Sequence, residues 1–321
     1  MSGEIKMNIV DFEKKHIEEA RAIALANYNE ERQFVKELPE TADIPDLGVF
    51  AENGLGVAAF ENGKMIGYLC CYSPWDNAFD TAAKGTFSPL HAHGAAYENR
   101  ETIYRRMYQA AAEKWVKNHI AYHGIALYAH DEKALQALFL YGFGVRCSDA
   151  IRSTEAIGCH AADKLSFGRL SAAEIPSVRE LRRMLSEHMG ESPCFMYSDE
   201  KEFQGWLEGA EKRESAIYAA QINGAPVSFI EVTDDGENFV TETDTMKNIC
   251  GAFCLPEYRG KGVFAGLLDY TLGSLRSEGV KLLGVDYESF NPTALGAWEK
   301  YFTPYTRSVV RRIDEGVLRK Y

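Results

Sequence analysis

Cys254-Leu255-Pro256-Glu257-Tyr258-Arg259-Gly260-Lys261-Gly262-Val263 decides how this chain is read. An apolar strand runs into Pro256, passes through a turn punctuated by two glycines, and opens an amphipathic helix. Gly260 and Gly262 let the backbone curl and approach a ligand closely. At the helix start the N–H groups of Lys261, Gly262, Val263 and Phe264 then point outward without intrahelical acceptors. The helix dipole adds partial positive charge there, so the segment reads as an anion cradle suited to phosphate. It is neither Gly-x-x-x-x-Gly-Lys-Ser/Thr nor Gly-x-Gly-x-x-Gly, which excludes the two common nucleotide loops.

The sequence beyond this loop continues in order. A helix is expected over Phe264 to Arg276, with Gly279 as its C-cap, then an apolar strand Val280 to Asp286 and a second helix opened by Asn291. Together these segments resemble the GCN5-related N-acetyltransferases, the GNAT superfamily. In that family Arg/Gln-x-x-Gly-x-Gly/Ala follows a strand ending in Val-x-Pro. Arg259 and Gly262 match, Pro256 stands where expected, and Phe264 departs by filling the last small-residue position. Asn291, Ala294, Trp298, Glu299 and Lys300 follow the family's Asn-x-x-Ala-x-x-x-Tyr-Glu-Lys run, with Trp298 in place of the Tyr. The resemblance covers Ile249 to Phe302.

At 321 residues the chain has room for two ordinary domains. A hydrophobic content of 46% with 26% charged residues is that of a globular protein. No apolar run of about 18 residues and no leader pattern stands out, so no membrane association is expected, and a cytoplasmic location is. Seven cysteines without a Cys-x-x-Cys pair argue against a disulfide framework. The net charge of −12 comes with no basic tract to follow a phosphate backbone, so nucleic acid is not an expected partner. An acidic surface favours cationic small molecules such as amines.

The plan is written twice, at an offset of about 160 residues. Asn62-Gly63 joins two strand-forming runs as a type I′ hairpin, and Asn223-Gly224 does the same further on. Gly85 to Gly94 parallels Gly251 to Gly260, and Asp131, Ala134, Gly142 and Phe143 parallel the Asn291 helix. First strands are expected at Lys6 to Val10 and Lys164 to Arg169, early helices at Lys14 to Asn27 and Ala172 to Met189, and a linker at Ser153 to Asp163. The expected fold class is α/β (α+β): two tandem GNAT-like domains, each a mixed, mostly antiparallel sheet flanked by helices. A degenerate copy would occupy residues 1–155, and the copy with the acetyl-CoA loop residues 156–321.

The first copy lacks the phosphate loop, since Leu90-His91-Ala92-His93-Gly94-Ala95 follows Pro89. His91 and His93 could share a strand face as metal ligands with His119, His123 or His130. Without a Cys or carboxylate pattern, structural histidines are the better expectation, and no metal is expected. A further alternative has His93 replacing the phosphate-facing Arg.

The resemblance implies direct attack of an amine on the thioester of acetyl-CoA in a ternary complex. It places the pantetheine arm along Asn248 to Leu255, where that strand splays from Val280 to Asp286. Cys254 or Leu255 would offer a backbone N–H to the thioester oxygen, Arg259, Gly260, Lys261, Gly262, Val263 and Phe264 would hold the pyrophosphate, and Asn291 would bond the arm. The base is less evident, because Asn248 stands where some relatives carry Glu and an amide accepts no proton. Glu231, Glu242, Asp244 and Glu288 remain, with Glu242 and Asp244 favoured by preceding the key strand. Trp298 cannot protonate a thiolate, which leaves Tyr301, one helical turn on, as the candidate acid. Cys254, in an apolar strand without a sequence-near His, reads as an inert thiol.

The expected reaction is acetyl transfer to a primary amine of a small molecule or peptide, by a monomer or homodimer. The alternatives are a non-catalytic acyl-CoA sensor or scaffold, and an enzyme like the mycothiol synthases, which share the two-copy layout.

Overall fold

The computed structural model describes residues 7–159, 165–197, 200–210 and 216–321. They group into two units, one reaching to Ser148 and including Pro304–Tyr321, the other Asp149–Thr303.

The first unit carries β1 (Asn8–Asp11), α1 (Ile17–Phe34), α2 (Gly48–Glu52), β2 (Val57–Glu61), β3 (Lys64–Leu69), β4 (Gly85–Ser88), β5 (His93–Ala95), α3 (Arg100–Lys117), β6 (Tyr122–Tyr128), α4 (Glu132–Phe139) and the start of β7 (Gly144–Ser153). Asn62 and Gly63 sit at φ +50° and +81°, the left-handed pair that a two-residue hairpin needs between β2 and β3. β1, β2, β3 and β5 pair antiparallel, while β4 runs parallel to β6. α3 covers this framework with Tyr104, Tyr108, Ala111 and Trp115, all almost wholly buried at helical spacing.

The second unit repeats the order: β8 (Leu165–Arg169), α5 (Arg179–Gly190), α6 (Glu200–Ala210), β9 (Ala216–Ile222), β10 (Ala225–Thr233), β11 (Met246–Cys254), α7 (Val263–Ser277), β12 (Leu282–Glu288) and α8 (Pro292–Trp298). Asn223 and Gly224, at φ +51° and +80°, turn β9 into β10. β8 to β11 pair antiparallel in chain order, and β11 runs parallel to β12. α7 buries Leu267, Leu268, Leu272 and Leu275 against one sheet face, each contributing about 1.5–3 kcal/mol. The opposite face packs Ile217, Ala219, Phe229 and Phe253 against Leu181 of α5 and Trp206 of α6. The second unit is thus a mixed sheet with helices on its faces, whereas the first unit's strands fall into two sheets, an antiparallel β1-β2-β3-β5 and a mixed one that holds β4 and β6.

The chain ends with a two-residue strand, β13 (Thr303–Pro304), and β14 (Thr306–Arg312). β14 pairs along the whole of β6, from Thr306 opposite Tyr128 to Arg312 opposite Tyr122, and buries Val309 in the first unit's core. Residues 304–321 therefore group with the first unit, whereas the sequence reading kept all of 156–321 together. Lys6 and Lys164, the expected strand starts, lie outside the described residues, as do residues 160–163 of the expected linker. The linker's start is docked: Thr154 Oγ1 donates to the Val280 carbonyl at 2.9 Å and Ile157 N–H to Asp269 at 2.7 Å.

Candidate functional site

Pro256 ends β11 and begins a single 3-10 turn, Pro256–Tyr258, after which the chain swings into α7. Gly260 and Gly262 have φ +71° and +79°, and a Cβ built on either meets no heavy atom within 4 Å. The loop is glycine-rich for its backbone conformation and stands open. The first turn of α7 closes with Gly266 N–H on the Gly262 carbonyl at 2.9 Å. Among the described residues no acceptor takes the N–H groups of Lys261, Gly262, Val263 or Phe264. Arg259 instead turns back, donating from Nε to the Cys254 carbonyl at 2.9 Å with its guanidinium over the Phe253 ring. Phe264, at the position the family keeps small, is half-buried and meets Trp298 edge-on at 5.4 Å.

β11 and β12 pair only from Met246 opposite Leu282 to Ile249 opposite Val285. Beyond that the partner of β11 is β10 alone, with the register slipping so that Cys250 bulges between Glu231–Gly251 and Val232–Ile249. Leu255 N–H is spent on the Val227 carbonyl at 3.0 Å. Donors alternate along an antiparallel strand, so the Cys254 N–H points to the opposite edge, where β12 has parted. Of the two expected oxyanion donors only that of Cys254 faces the gap. The Cys254 side chain is buried, and burial pushes its thiol above the ordinary range.

Leu283, Val285 and Tyr287 of β12 join the α7-side core, so Gly284, Asp286 and Glu288 face the other way. Asp286 reaches solvent in part, yet loss of water and then repulsion from Glu237, Asp149 and Glu288 raise its carboxyl from 3.8 to about 8. Loss of surrounding water also raises Glu237, although that residue is exposed overall, and Asn238 donates to Asp149 at 2.8 Å. Asn248 lies over Gly284, and its Oδ1 and the Met246 methyl stand where a Gly284 Cβ would be, so a side chain there would have to push both aside. Sequence reasoning missed Asp286, Glu237 and Asp149. The available signal was a pair of acids alternating with apolar residues in Leu282-Leu283-Gly284-Val285-Asp286-Tyr287-Glu288.

Glu242 and Asp244, the expected bases, are both exposed in the loop before β11 and are not among the groups acting on Asp286. Glu231 is 1% exposed and accepts from Trp206 Nε1 at 3.1 Å. Trp298 is core, wedged between Phe264 and Phe302. Tyr301 is not one helical turn further on, because α8 stops at Trp298; it lies in the following turn, half-buried, with Lys300 over its ring. Asn291 caps α8, its Oδ1 accepting from Thr293 and Ala294 N–H at 3.1 and 3.3 Å. The same side chain meets His188 and Met189 of α5.

The first unit fills its corresponding helix start with protein. Arg100, 3% exposed at the first position of α3, pairs with Glu30 at 2.7 Å and Asp131 at 3.2 Å and donates to the Ala95 carbonyl. His93 does not replace a phosphate-facing Arg, since its ring nitrogens lie 2.8 Å from the Tyr104 hydroxyl and 2.5 Å from the Ala126 carbonyl. His123 meets the Tyr108 hydroxyl and His130 meets Glu31. Burial drives His91, His93 and His123 down to about 4. Among the described residues no three His, Cys, Asp or Glu side chains gather as a metal site. Nor is any described helix long and apolar enough to cross a membrane.

Residues 178–302 match the model of the acetyltransferase (GNAT) family. A GCN5-related N-acetyltransferase from Sphaerobacter thermophilus is similar in structure at a TM-score of 0.56 and 12% identity, with 95% of each chain covered. An acetyltransferase of the GNAT family from Colwellia psychrerythraea gives 0.47 and 13%, over 96% of this chain and all 100% of that one. A tandem GNAT protein from the clavulanic acid biosynthesis pathway gives 0.46 and 13%, over 96% of this chain and 98% of that one. Among curated proteins none matches the sequence. The family match spans the open loop, the splayed strands and the Asn291 helix of the second unit.

Proposed function

We propose that this protein transfers an acetyl group from acetyl-CoA to a primary amine of a small molecule or peptide, by direct attack in a ternary complex. The observation that carries the reading is the open start of α7, where two left-handed glycines leave a run of N–H groups without acceptors at the end of a strand that parts from its neighbour. Backbone donors at a helix N-terminus suit the pyrophosphate of CoA. The gap between β11 and β12 suits the pantetheine arm, with the Cys254 N–H directed at the thioester oxygen. Titration calorimetry with acetyl-CoA, and thiol release against a panel of primary amines, test the reading. One saturable CoA site and amine-dependent thiol release are expected; absence of CoA binding would overturn it.

A non-catalytic acyl-CoA sensor draws on one observation, that Trp298 is locked in the core where relatives present a phenol. CoA binding without thiol release on any amine would favour that reading.

A further inference from the structure

We propose that the face formed by Asp149, Glu237, Asp286 and Glu288 is the acceptor subsite, that Asp286 takes the proton of the attacking amine, and that the acceptor carries a second positive charge. This deepens the acetyltransferase reading and rests on it for the chemical step.

Asp286 is the first residue of β12 beyond its last pair with β11, so it stands where the strands begin to part. The groups acting on it come from three other places: Glu237 from the loop after β10, Asp149 from β7, and Glu288 further along β12. All are carboxylates. Their repulsion is relieved by a cation, and a carboxyl held near neutrality is matched to removing a proton from an ammonium group. Three further acids act on the base, more than one ammonium group neutralises, so a second cationic group on the acceptor has carboxylates to meet.

Asn248 supplies an independent sign of a ligand. It is 6% exposed, and among the described residues its Nδ2 has no hydrogen-bond partner. Its side chain lies over Gly284, on the face of β12 that bears Asp286 two residues on. A buried donor left unmet costs about 1–3 kcal/mol. A ligand carbonyl beside the amine, such as that of the acyl group being transferred, would satisfy it.

The step balances as follows. The ammonium gives one proton to ionised Asp286, and the freed nitrogen lone pair forms a bond to the thioester carbonyl carbon. The carbon–sulfur bond breaks with its electron pair leaving on sulfur, and the thiolate takes the second proton from nitrogen. Asp286 then returns its proton to solvent, so ammonium and thioester become amide, thiol and one proton. Entry of the cation favours the ionised carboxyl, which makes the base available when the amine arrives.

The test compares 1,4-diaminobutane with butylamine on the full chain, using wild type, Asp286→Asn and Glu237→Gln. For wild type, kcat/KM is expected to favour the diamine by about 10-fold or more, equivalent to about 1.4 kcal/mol. Glu237→Gln should shrink that preference, and Asp286→Asn should lower kcat by about 10²-fold or more and remove the rise in rate with pH near 8, both with CoA affinity unchanged. Equal kcat/KM for the two amines, or a full-rate Asp286→Asn enzyme, would overturn the proposal. Diamine binding measured by calorimetry without CoA decides the subsite even if the loop binds no CoA. Binding weakened in Glu237→Gln supports it, and binding equal in both proteins refutes it. A melting temperature of Asp286→Asn no lower than wild type excludes misfolding as the cause.

Discussion

Replacing Asp286 by Asn should stabilise the protein at neutral pH, and the gain should grow with pH in a defined window. In the unfolded chain this carboxyl ionises around 3.8; in the folded protein it holds its proton to about 8. Between those values the unfolded state releases a proton that the folded state keeps, so stability falls as pH rises. Below 3.8 the proton is bound in both states and the favourable contribution is complete. One pKa unit is worth 1.36 kcal/mol, and neutral pH lies about three units above 3.8, so the cost to wild type at pH 7 reaches about 4 kcal/mol. Asn carries no such charge and escapes it. Urea unfolding of both proteins at pH 5, 7 and 9 should show a midpoint gap that widens from pH 5 to 7 and levels above 8. Parallel midpoint curves, or an Asn variant that is weaker throughout, would refute the idea that the acids repel one another in the folded state.

Gly262→Glu places a carboxylate and a side chain in the open loop at φ +79°; CoA affinity should fall by about 10²-fold or more on calorimetry, and unchanged affinity in a folded variant would remove the loop from the mechanism. Saturation binding should give one CoA per chain, since Arg100 occupies the first unit's helix start; two equivalent sites would reverse that assignment. Arg100→Ala should cost about 3–5 kcal/mol in denaturant unfolding, because it strands buried Asp131, and a loss below about 1 kcal/mol would show the pair to be solvated. Tyr301→Phe should leave kcat nearly unchanged, since α8 stops at Trp298 and the thiolate draws its proton from nitrogen, and a loss of about 10²-fold with CoA affinity intact would restore Tyr301 as the acid.

The hairpins and the left-handed turns of the Gly260–Gly262 loop were legible in the sequence because Asn-Gly pairs and clustered glycines dictate such backbone locally. The two-copy order was legible for the same reason. Site residues gathered from distant segments were not. Asp286 meets Asp149 and Glu237 through the sheet and a loop, and no spacing along the chain brings those three together. Glu242 and Asp244 looked promising by proximity to β11, but the loop turns them to solvent. Tyr301 was assigned by extending a helix that ends at Trp298. The destination of Thr306–Arg312 was hidden because strand pairing across such a separation leaves no local trace.

That last strand sets an order of events during synthesis. The first unit's β4-β6 sheet is completed by residues translated after the entire second unit, so while the ribosome is still making residues 149–303 the β6 edge that β14 will occupy lacks its partner. At about 5–20 residues per second that interval lasts for many seconds. An unpaired strand edge invites pairing with other chains, and the nascent protein meets the cell in that state before its final strand emerges.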